Sequence, residues 1–187
     1  MIEDLKLSQS YLMGPRLFLY SQMFDFNRGE QQVAIGAYCL MPNHFHILLS
    51  PLTDTGVSYF MKKLATGYSM YFNTKHQRTG SLFEGRYKSE HTADDIHLKY
   101  LFTYIHLNPI KLFQPNWREV GLNDITGARA FLDTYQYSSF PDNKVARLES
   151  AILNQDKFPN YFTIKSDLDK EMLDWLTFPV AKQNKVQ

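Results

Sequence analysis

The chain has 187 residues, of which 44% are hydrophobic and 21% charged, a balance typical of a globular protein with a packed core. No apolar run approaches the ~20 residues that a membrane helix needs, and the acidic start of the chain lacks the basic-then-apolar order of a signal peptide. The single cysteine, Cys39, excludes an internal disulfide and a cysteine-based zinc knuckle. These features together favour a reducing compartment, and we expect a cytoplasmic protein.

The net charge of +1 conceals one basic segment. Residues 57–91 carry six lysines and arginines against two glutamates, a balance of +4, whereas the rest of the chain is neutral or slightly acidic. Aromatic residues are interleaved with these cations: Tyr68, Tyr71, Phe72, Phe83 and Tyr87. This combination suits the phosphates and stacked bases of a nucleic acid, although lysines on a helix also serve simply to solvate an exposed face.

The first predicted elements are strands. Residues 1–31 are interpreted as an irregular or helical segment, because Gly14-Pro15 interrupts their apolar stretch. Residues 32–41 and 44–50 are predicted to be antiparallel strands, since Pro42-Asn43 between them supplies a turn.

Helices dominate the rest of the chain. Apolar residues recur every three or four positions in 57–75, which predicts an amphipathic helix, and a short strand is predicted around 82–88. The next helix is capped by Thr92 or Asp94 and runs to about Asn108, where Pro109 stops it. Three weaker helical segments follow: 127–135, 144–153 and 166–176. Strands joined by a hairpin and followed by helices indicate an α+β fold with an antiparallel sheet.

Two histidines in the second strand are the strongest local signal for chemistry. Alternate side chains of a strand share a face, so His44 and His46 point to one side and Phe45 and Ile47 to the other. Two imidazoles side by side on a stiff strand can bind a metal. Such pairs also occur by chance and then only form hydrogen bonds with their neighbours.

The helix after Asp94 offers the residues that would complete such a site. Tyr104 and Asn108 are four residues apart and therefore lie one turn apart on the same flank, with His97 on the same stripe. The amide oxygen of Asn108 is a candidate third ligand for Mg²⁺ or Mn²⁺, and Tyr104 is a candidate nucleophile. A tyrosine on a helix flank more often serves packing alone.

Three ordered motifs resemble those of a known family. Residues 37–49 (AYCLMPNHFHILL) closely resemble the HUH motif of the single-tyrosine transposases, most of all the REP-associated tyrosine transposases. Residues 71–89 are similar to the family's middle block, and 104–109 (YIHLNP) to its nucleophile helix. Residues 135–140 resemble a later and less specific block, so the resemblance covers about residues 33–140.

The resemblance implies a ferredoxin-like α+β sandwich, with a central antiparallel sheet that has helices packed on one face. Residues 32–113 would form the catalytic core and 114–187 a C-terminal helical extension. His44, His46 and Asn108 would bind a divalent metal, Mg²⁺ or Mn²⁺, and Tyr104 would form a 5′-phosphotyrosine link to one DNA strand. His97 and His106 are candidates for supporting roles.

The resemblance also implies partners and a location. The substrate would be single-stranded DNA with hairpins, similar to repetitive extragenic palindromes, and the protein would be cytoplasmic and associated with the nucleoid. The residues expected to contact DNA are Arg86, Lys88, Lys62, Lys63 and Asn43. Residues 1–31 lack the first strand that relatives of this type carry. The sheet edge exposed in this way would suit a homodimer formed by pairing or swapping.

Two other readings of the same residues stay open. A catalytically inactive remnant would bind hairpin DNA without cutting it. An unrelated metallohydrolase that uses the two histidines would not need Tyr104 at all.

Overall fold

The computed structural model describes residues 29–92 and 94–159, together with residues 22, 24, 25, 27, 174 and 176. The protein has an α+β fold, with two strands and five α-helices within the described residues of 29–159. No helix in this part of the chain is both long and apolar enough to cross a membrane. The expected absence of a first strand in 1–31 and the predicted helix 166–176 fall largely outside the described residues, although Asp174 and Leu176 are helical.

The chain divides into two compact units. Unit 1 is Met1–Ala34 with Leu49–His91, and unit 2 is Ile35–Leu48 with Thr92–Gln187. The segments expected from the sequence are divided differently and stay predictions: 1–31, 32–113 and 114–187.

A hairpin carries the two histidines. Strand β1 (Val33–Leu40) and strand β2 (Phe45–Pro51) form a two-stranded sheet, and the Met41 amide donates to the His44 carbonyl across the turn at 2.8 Å. Both strands end within one residue of their predicted limits. The prediction of this hairpin is therefore confirmed, while the ferredoxin-like arrangement as a whole stays a prediction.

In unit 2 a later segment runs along the free edge of β1. Cys39 and Ser138 form an isolated antiparallel bridge, and the Ser139 amide donates to the Tyr38 carbonyl at 2.9 Å. The Arg147 guanidinium fixes this segment, because it donates to the Ser138 carbonyl at 2.8 Å. β1 is thus paired on both sides near its end.

Unit 1 contains helix α1 (Gly56–Lys75), which confirms the predicted amphipathic helix. Its buried residues include Met61 and Tyr71, which lie on the predicted apolar face. The helix begins against the Gln32 backbone, where a Cβ on Gly56 would come within 2.0 Å of the Gln32 carbonyl oxygen. Only glycine fits this close approach.

The strand predicted around residues 82–88 was wrong. This segment forms bends, and most of its side chains are exposed. The Ser81 hydroxyl donates to the Phe83 carbonyl two residues later. Such local bonds compete with a strand ladder, and no strand of the described residues lies beside the segment to pair with it.

Unit 2 contains helix α2 (Asp95–Leu107), which begins where the carboxylate of Asp94 accepts a hydrogen bond from the Ile96 amide at 3.1 Å. Its apolar side chains pack on the hairpin: Phe102 and Ile105 form one buried cluster with Leu48 and with residues of β1. Leu98, Leu101 and Tyr104 pack at the border of that cluster. The helix therefore lies on the sheet face to which His46 belongs, because Leu48 and His46 are two residues apart in β2.

A second core cluster of unit 2 is built by three further helices. These are α3 (Ile110–Phe113), α4 (Trp117–Val120) and α5 (Ile125–Thr134), the last of which confirms the helix predicted at 127–135. The cluster consists of Leu107, Ile110, Trp117, Ala128, Leu132, Phe140 and Leu176. It anchors α3 and α4 directly after α2.

The helix predicted at 144–153 was wrong for most of its length. The structure has only a 3₁₀ turn at Leu148–Ile152. Arg147 makes two 2.8 Å bonds to the Asp142 carboxylate, and the Ser150 hydroxyl also donates to Asp142. These side-chain bonds hold the backbone in a shape that an α-helix does not allow.

Candidate active site

The Tyr104 ring lies beside His46 of β2 in unit 2, and His46 lies beside His44, which directly precedes β2. The Tyr104 centroid is 5.6 Å from that of His46, and the His46 centroid is 5.1 Å from that of His44; both pairs are edge-to-face. The Tyr104 side chain is only partly buried, and His44 is exposed. The three side chains that sequence reasoning singled out therefore meet at one partly open place.

Asn108 lies one turn after Tyr104 and is fully buried. Its side-chain amide nitrogen donates to the Tyr104 carbonyl at 2.9 Å. Its amide oxygen is also buried and has no hydrogen-bond partner among the described residues. A buried acceptor without a donor costs free energy, about 1–3 kcal/mol, so this oxygen fits a site where something else, such as a cation, binds to it.

Both histidines are held in the neutral form. The pKa of His46 is lowered to about 4, first by burial and then by the charges of His44, Lys111 and Arg118. The pKa of His44 is lowered by burial and by Lys111. Neutral imidazole is the form that binds a metal, so the two rings keep a free lone pair at neutral pH.

Two cations that the sequence analysis did not single out lie at the site. The Arg118 guanidinium carbon is 4.9 Å from the centroid of the Tyr104 ring. Lys111 and Arg118 are the permanently charged side chains that act electrostatically on His46. No local pattern could have found them, because they stand on the four-residue helices α3 and α4, which are too short to show a periodicity.

The predicted supporting histidines have different surroundings. The His97 ring stacks on Tyr100 at 6.2 Å, and Tyr100 lies 5.8 Å from Tyr104, so His97 ends a row of rings along α2. His106 is almost completely buried, and its Nε2 is 2.8 Å from the Ser139 hydroxyl. It thus lies in the core and not in that row.

The residues predicted to contact DNA are all exposed. In unit 1, Lys62 and Lys63 stand on α1, with the Lys63 amine 4.7 Å from the Tyr59 ring centroid, and Arg86 and Lys88 stand on the irregular segment after it. In unit 2, the Asn43 side-chain oxygen is 2.7 Å from Nδ1 of His44. Asn43 therefore helps to orient His44.

The residues expected to bind a metal carry the types of donor atom that a divalent cation accepts. In the part of the chain that the structure describes, no group of three or more His, Cys, Asp and Glu side chains converges. The candidate ligands are instead two neutral imidazoles and the unpartnered amide oxygen of Asn108. Imidazole nitrogens suit metals such as Fe²⁺ and Zn²⁺, whereas an amide oxygen suits harder ions such as Mn²⁺ and Mg²⁺, so Mg²⁺ or Mn²⁺ stays a prediction.

The comparisons with known proteins give one match. The family model described as "Transposase IS200 like" matches residues 8–108, just over half of the chain. The matched stretch contains the histidine pair, Tyr104 and Asn108, and it ends before Lys111 and Arg118. No curated protein and no solved structure shows a significant match to this chain.

Proposed function

This chain belongs to the family of IS200-like transposases, and we propose that it is a metal-dependent single-strand DNA endonuclease and strand transferase whose nucleophile is Tyr104. The observation that carries the proposal is the approach of the Tyr104 ring to His46, with centroids 5.6 Å apart, on the partly open side of α2. Within the family we place it with the REP-associated branch, on the strength of the motifs around His44 and Tyr104.

The proposed reaction exchanges one phosphodiester for another. The phenol oxygen of Tyr104 attacks the phosphorus, an oxygen–phosphorus bond forms, and the bond from phosphorus to the 3′ oxygen breaks. The phenol proton goes to solvent and the departing 3′ oxygen takes up a proton. A 3′ hydroxyl can later attack the phosphotyrosine and reverse the exchange, so no high-energy cofactor is needed.

His44, His46 and Asn108 are the residues that would hold the metal. When bound there, a divalent ion supplies Lewis-acid polarisation of the phosphate. Asn108 has a second task, because its amide nitrogen donates to the Tyr104 carbonyl and so fixes the side chain one turn after the nucleophile. The neutral state of both imidazoles supports this assignment.

The proposed substrate is single-stranded DNA that contains hairpins of the REP type. Its support is the basic segment after β2, where exposed lysines and arginines alternate with aromatic residues. Lys62, Lys63, Arg86 and Lys88 would contact phosphates there, and Asn43 would contact DNA beside His44. The location that follows for a DNA-binding protein of this kind is the bacterial nucleoid.

We also propose a homodimer formed through the sheet edge. In the described part of the chain the sheet has the order β1-β2, and no strand covers the outer edge of β2. An open edge pairs readily with another chain. Sedimentation equilibrium of the full chain would give the molecular mass of a monomer if this proposal were wrong.

The test of the nucleophile uses labelled hairpin oligonucleotides from the DNA that flanks the gene, incubated with Mn²⁺ and then denatured in SDS. A 5′-phosphotyrosine link retains a 3′ label on the protein and releases a 5′ label with the other fragment. We expect this adduct in the wild type and a loss of about 100-fold or more in Tyr104→Phe. Mass spectrometry of the labelled peptide should identify Tyr104.

Tyr137→Phe is the matched control, because Tyr137 is a partly buried tyrosine of the same unit that lies outside the site. It should form the adduct at the wild-type rate. Binding of hairpins without any adduct would instead indicate an inactive remnant. Cleavage that survives Tyr104→Phe but not His44→Ala would indicate a metallohydrolase.

A further inference from the structure

We propose that Arg118 and Lys111 form an anion site that holds a phosphate of the DNA beside the Tyr104 phenol. The two residues are called the 111/118 cation pair below. This inference rests on the proposed function for the identity of its ligand, a phosphodiester, but not for the existence of the anion site.

Arg118 contacts two aromatic rings. Its guanidinium carbon lies 4.9 Å from the centroid of Tyr104 and 5.4 Å from that of Trp117. Trp117 is only 3% exposed and belongs to the core cluster, so α4 cannot slide away from the site. A planar guanidinium that faces rings still has its N–H groups at the edge to donate.

The 111/118 cation pair has no counter-ion in the described part of the chain. Neither residue forms an ion pair with a carboxylate there, although Arg147 and Lys144 of the same unit both do. Lys111 and Arg118 both act electrostatically on His46, so both lie near that ring. Cations collected at one place without a carboxylate raise the local concentration of anions.

Phosphate is the anion that this arrangement fits best. A guanidinium presents two parallel N–H donors to two phosphate oxygens, and an ammonium adds a point charge. The contact with the Tyr104 ring sets the bound phosphate within reach of the nucleophile. Arginine and lysine side chains are donors only and cannot bind a metal ion, so the pair would bind the phosphate and not add a ligand to the site of His44 and His46.

Both residues of the 111/118 cation pair lie after the stretch that the family model matches. The family match ends at residue 108, and both cations follow it. The short helices α3 and α4 after the matched stretch would therefore supply part of the phosphate site. Deleting the chain after residue 108 would remove a functional element as well as the second core cluster.

The first test is direct binding, without metal, in the Tyr104→Phe background. The probe is thymidine 3′,5′-bisphosphate, followed through the Nε–Hε NMR signals of arginine side chains. The Arg118 signal is assigned by its disappearance in Arg118→Lys. It should shift saturably with the probe, and Arg118→Gln should weaken binding about tenfold or more.

Arg129→Gln is the matched control, since Arg129 lies on α5 and is not among the cations that act on His46. It should bind the probe like the parent protein. An Arg118 signal that stays in place at saturating probe would overturn the inference. This signal is read in a protein with native Arg118, so the result does not depend on whether Arg118→Gln folds.

The second test is the rate of adduct formation on hairpin DNA. Arg118→Gln should lower this rate about 100-fold, as the loss of a charge-stabilising donor does. Arg118→Lys should keep part of the wild-type rate, and Arg129→Gln should keep all of it. A wild type that forms no adduct but shifts its Arg118 signal would refute the proposed function and support the anion site. Adduct formation at the wild-type rate in Arg118→Gln would refute the role of Arg118.

Discussion

At the scale of single residues, Asn108 is a buried side chain whose hydrogen bonding is only half satisfied. Its nitrogen has a partner in the Tyr104 carbonyl, whereas its buried oxygen has none among the described residues. If that oxygen is a metal ligand, Asn108→Ala should weaken Mn²⁺ binding about tenfold or more, measured by calorimetry in the absence of DNA. The reason is the loss of one of three protein donors.

Asn73 provides the control for that experiment. Its amide nitrogen donates to the Gly80 carbonyl at 2.9 Å and its oxygen is buried without a described partner, the same pattern in unit 1. Asn73→Ala should leave Mn²⁺ affinity unchanged. Equal affinities of Asn108→Ala and the wild type would remove Asn108 from the ligand set.

Individual residues of the site could be read from the sequence where a regular element fixed their direction. The alternation of a strand placed His44 and His46 on one face, and the four-residue spacing of a helix placed Tyr104 next to Asn108. Arg118 was missed for a physical reason. It reaches the Tyr104 ring only because two short helices fold back on the core after Pro109, and no spacing in the sequence reports such a tertiary contact.

At the scale of elements, the nucleophile helix depends on its first turn. The Asp94 carboxylate accepts from the Ile96 amide at 3.1 Å. We expect Asp94→Ala to lower the free energy of unfolding of unit 2 by about 1 kcal/mol, because the amide loses its acceptor. Denaturant titration followed by tryptophan fluorescence measures this, since both tryptophans of the chain belong to unit 2.

Asp94→Asn separates the cap from the charge. Asparagine keeps an acceptor oxygen at the same place and is as good a cap as aspartate. The denaturation midpoint of Asp94→Asn should therefore stay close to that of the wild type. A fall as large as that of Asp94→Ala would show that the negative charge near the helix start, and not the hydrogen bond, stabilises α2.

Long periodic elements were predicted well and short ones were not. The limits of β1, β2, α1 and α5 agree with their predictions to within one or two residues, because each has a burial pattern that repeats over its length. The strand expected at 82–88 failed because a strand needs a partner to pair with, and the described residues place none beside this segment. The helix expected at 144–153 failed because Arg147 and Asp142 form bonds that local propensity does not include.

At the scale of the whole molecule, the sequence predicted the α+β class but not the two compact units. Each unit combines residues from separate parts of the chain, and the chain passes between them within the strands of the hairpin. Such a division depends on long-range contacts. The family match spans residues of both units, so family membership gave no boundary either.

Stability of unit 2 should depend on pH through a buried histidine. Complete burial lowers the pKa of His106 to about 4, and its Nδ1 has no acceptor among the described residues. The unfolded chain takes up a proton near pH 6.5 and the folded chain only near pH 4. This histidine therefore leaves the free energy of unfolding unchanged above pH 6.5 and lowers it as the pH falls from 6.5 towards 4. At about pH 5 this one residue should cost about 2 kcal/mol.

His106→Gln removes the titrating ring and keeps a side-chain amide that can pair with the Ser139 hydroxyl. The variant should lose less stability than the wild type between neutral pH and about pH 5, by the same 2 kcal/mol or so. The comparison uses the change with pH and not the absolute stability, because glutamine fills the site differently. His46, whose pKa is also lowered to about 4, contributes equally to both proteins and cancels.

His97→Gln is the control on the same helix, because its ring is only partly buried. It should keep the wild-type loss on acidification. If the wild type and His106→Gln lost the same free energy of unfolding with falling pH, the protonated His106 ring would have to donate a hydrogen bond from Nδ1 in the folded protein. Water would then reach the core around Ser139 while unit 2 stays folded, and it would supply the acceptor for that hydrogen bond.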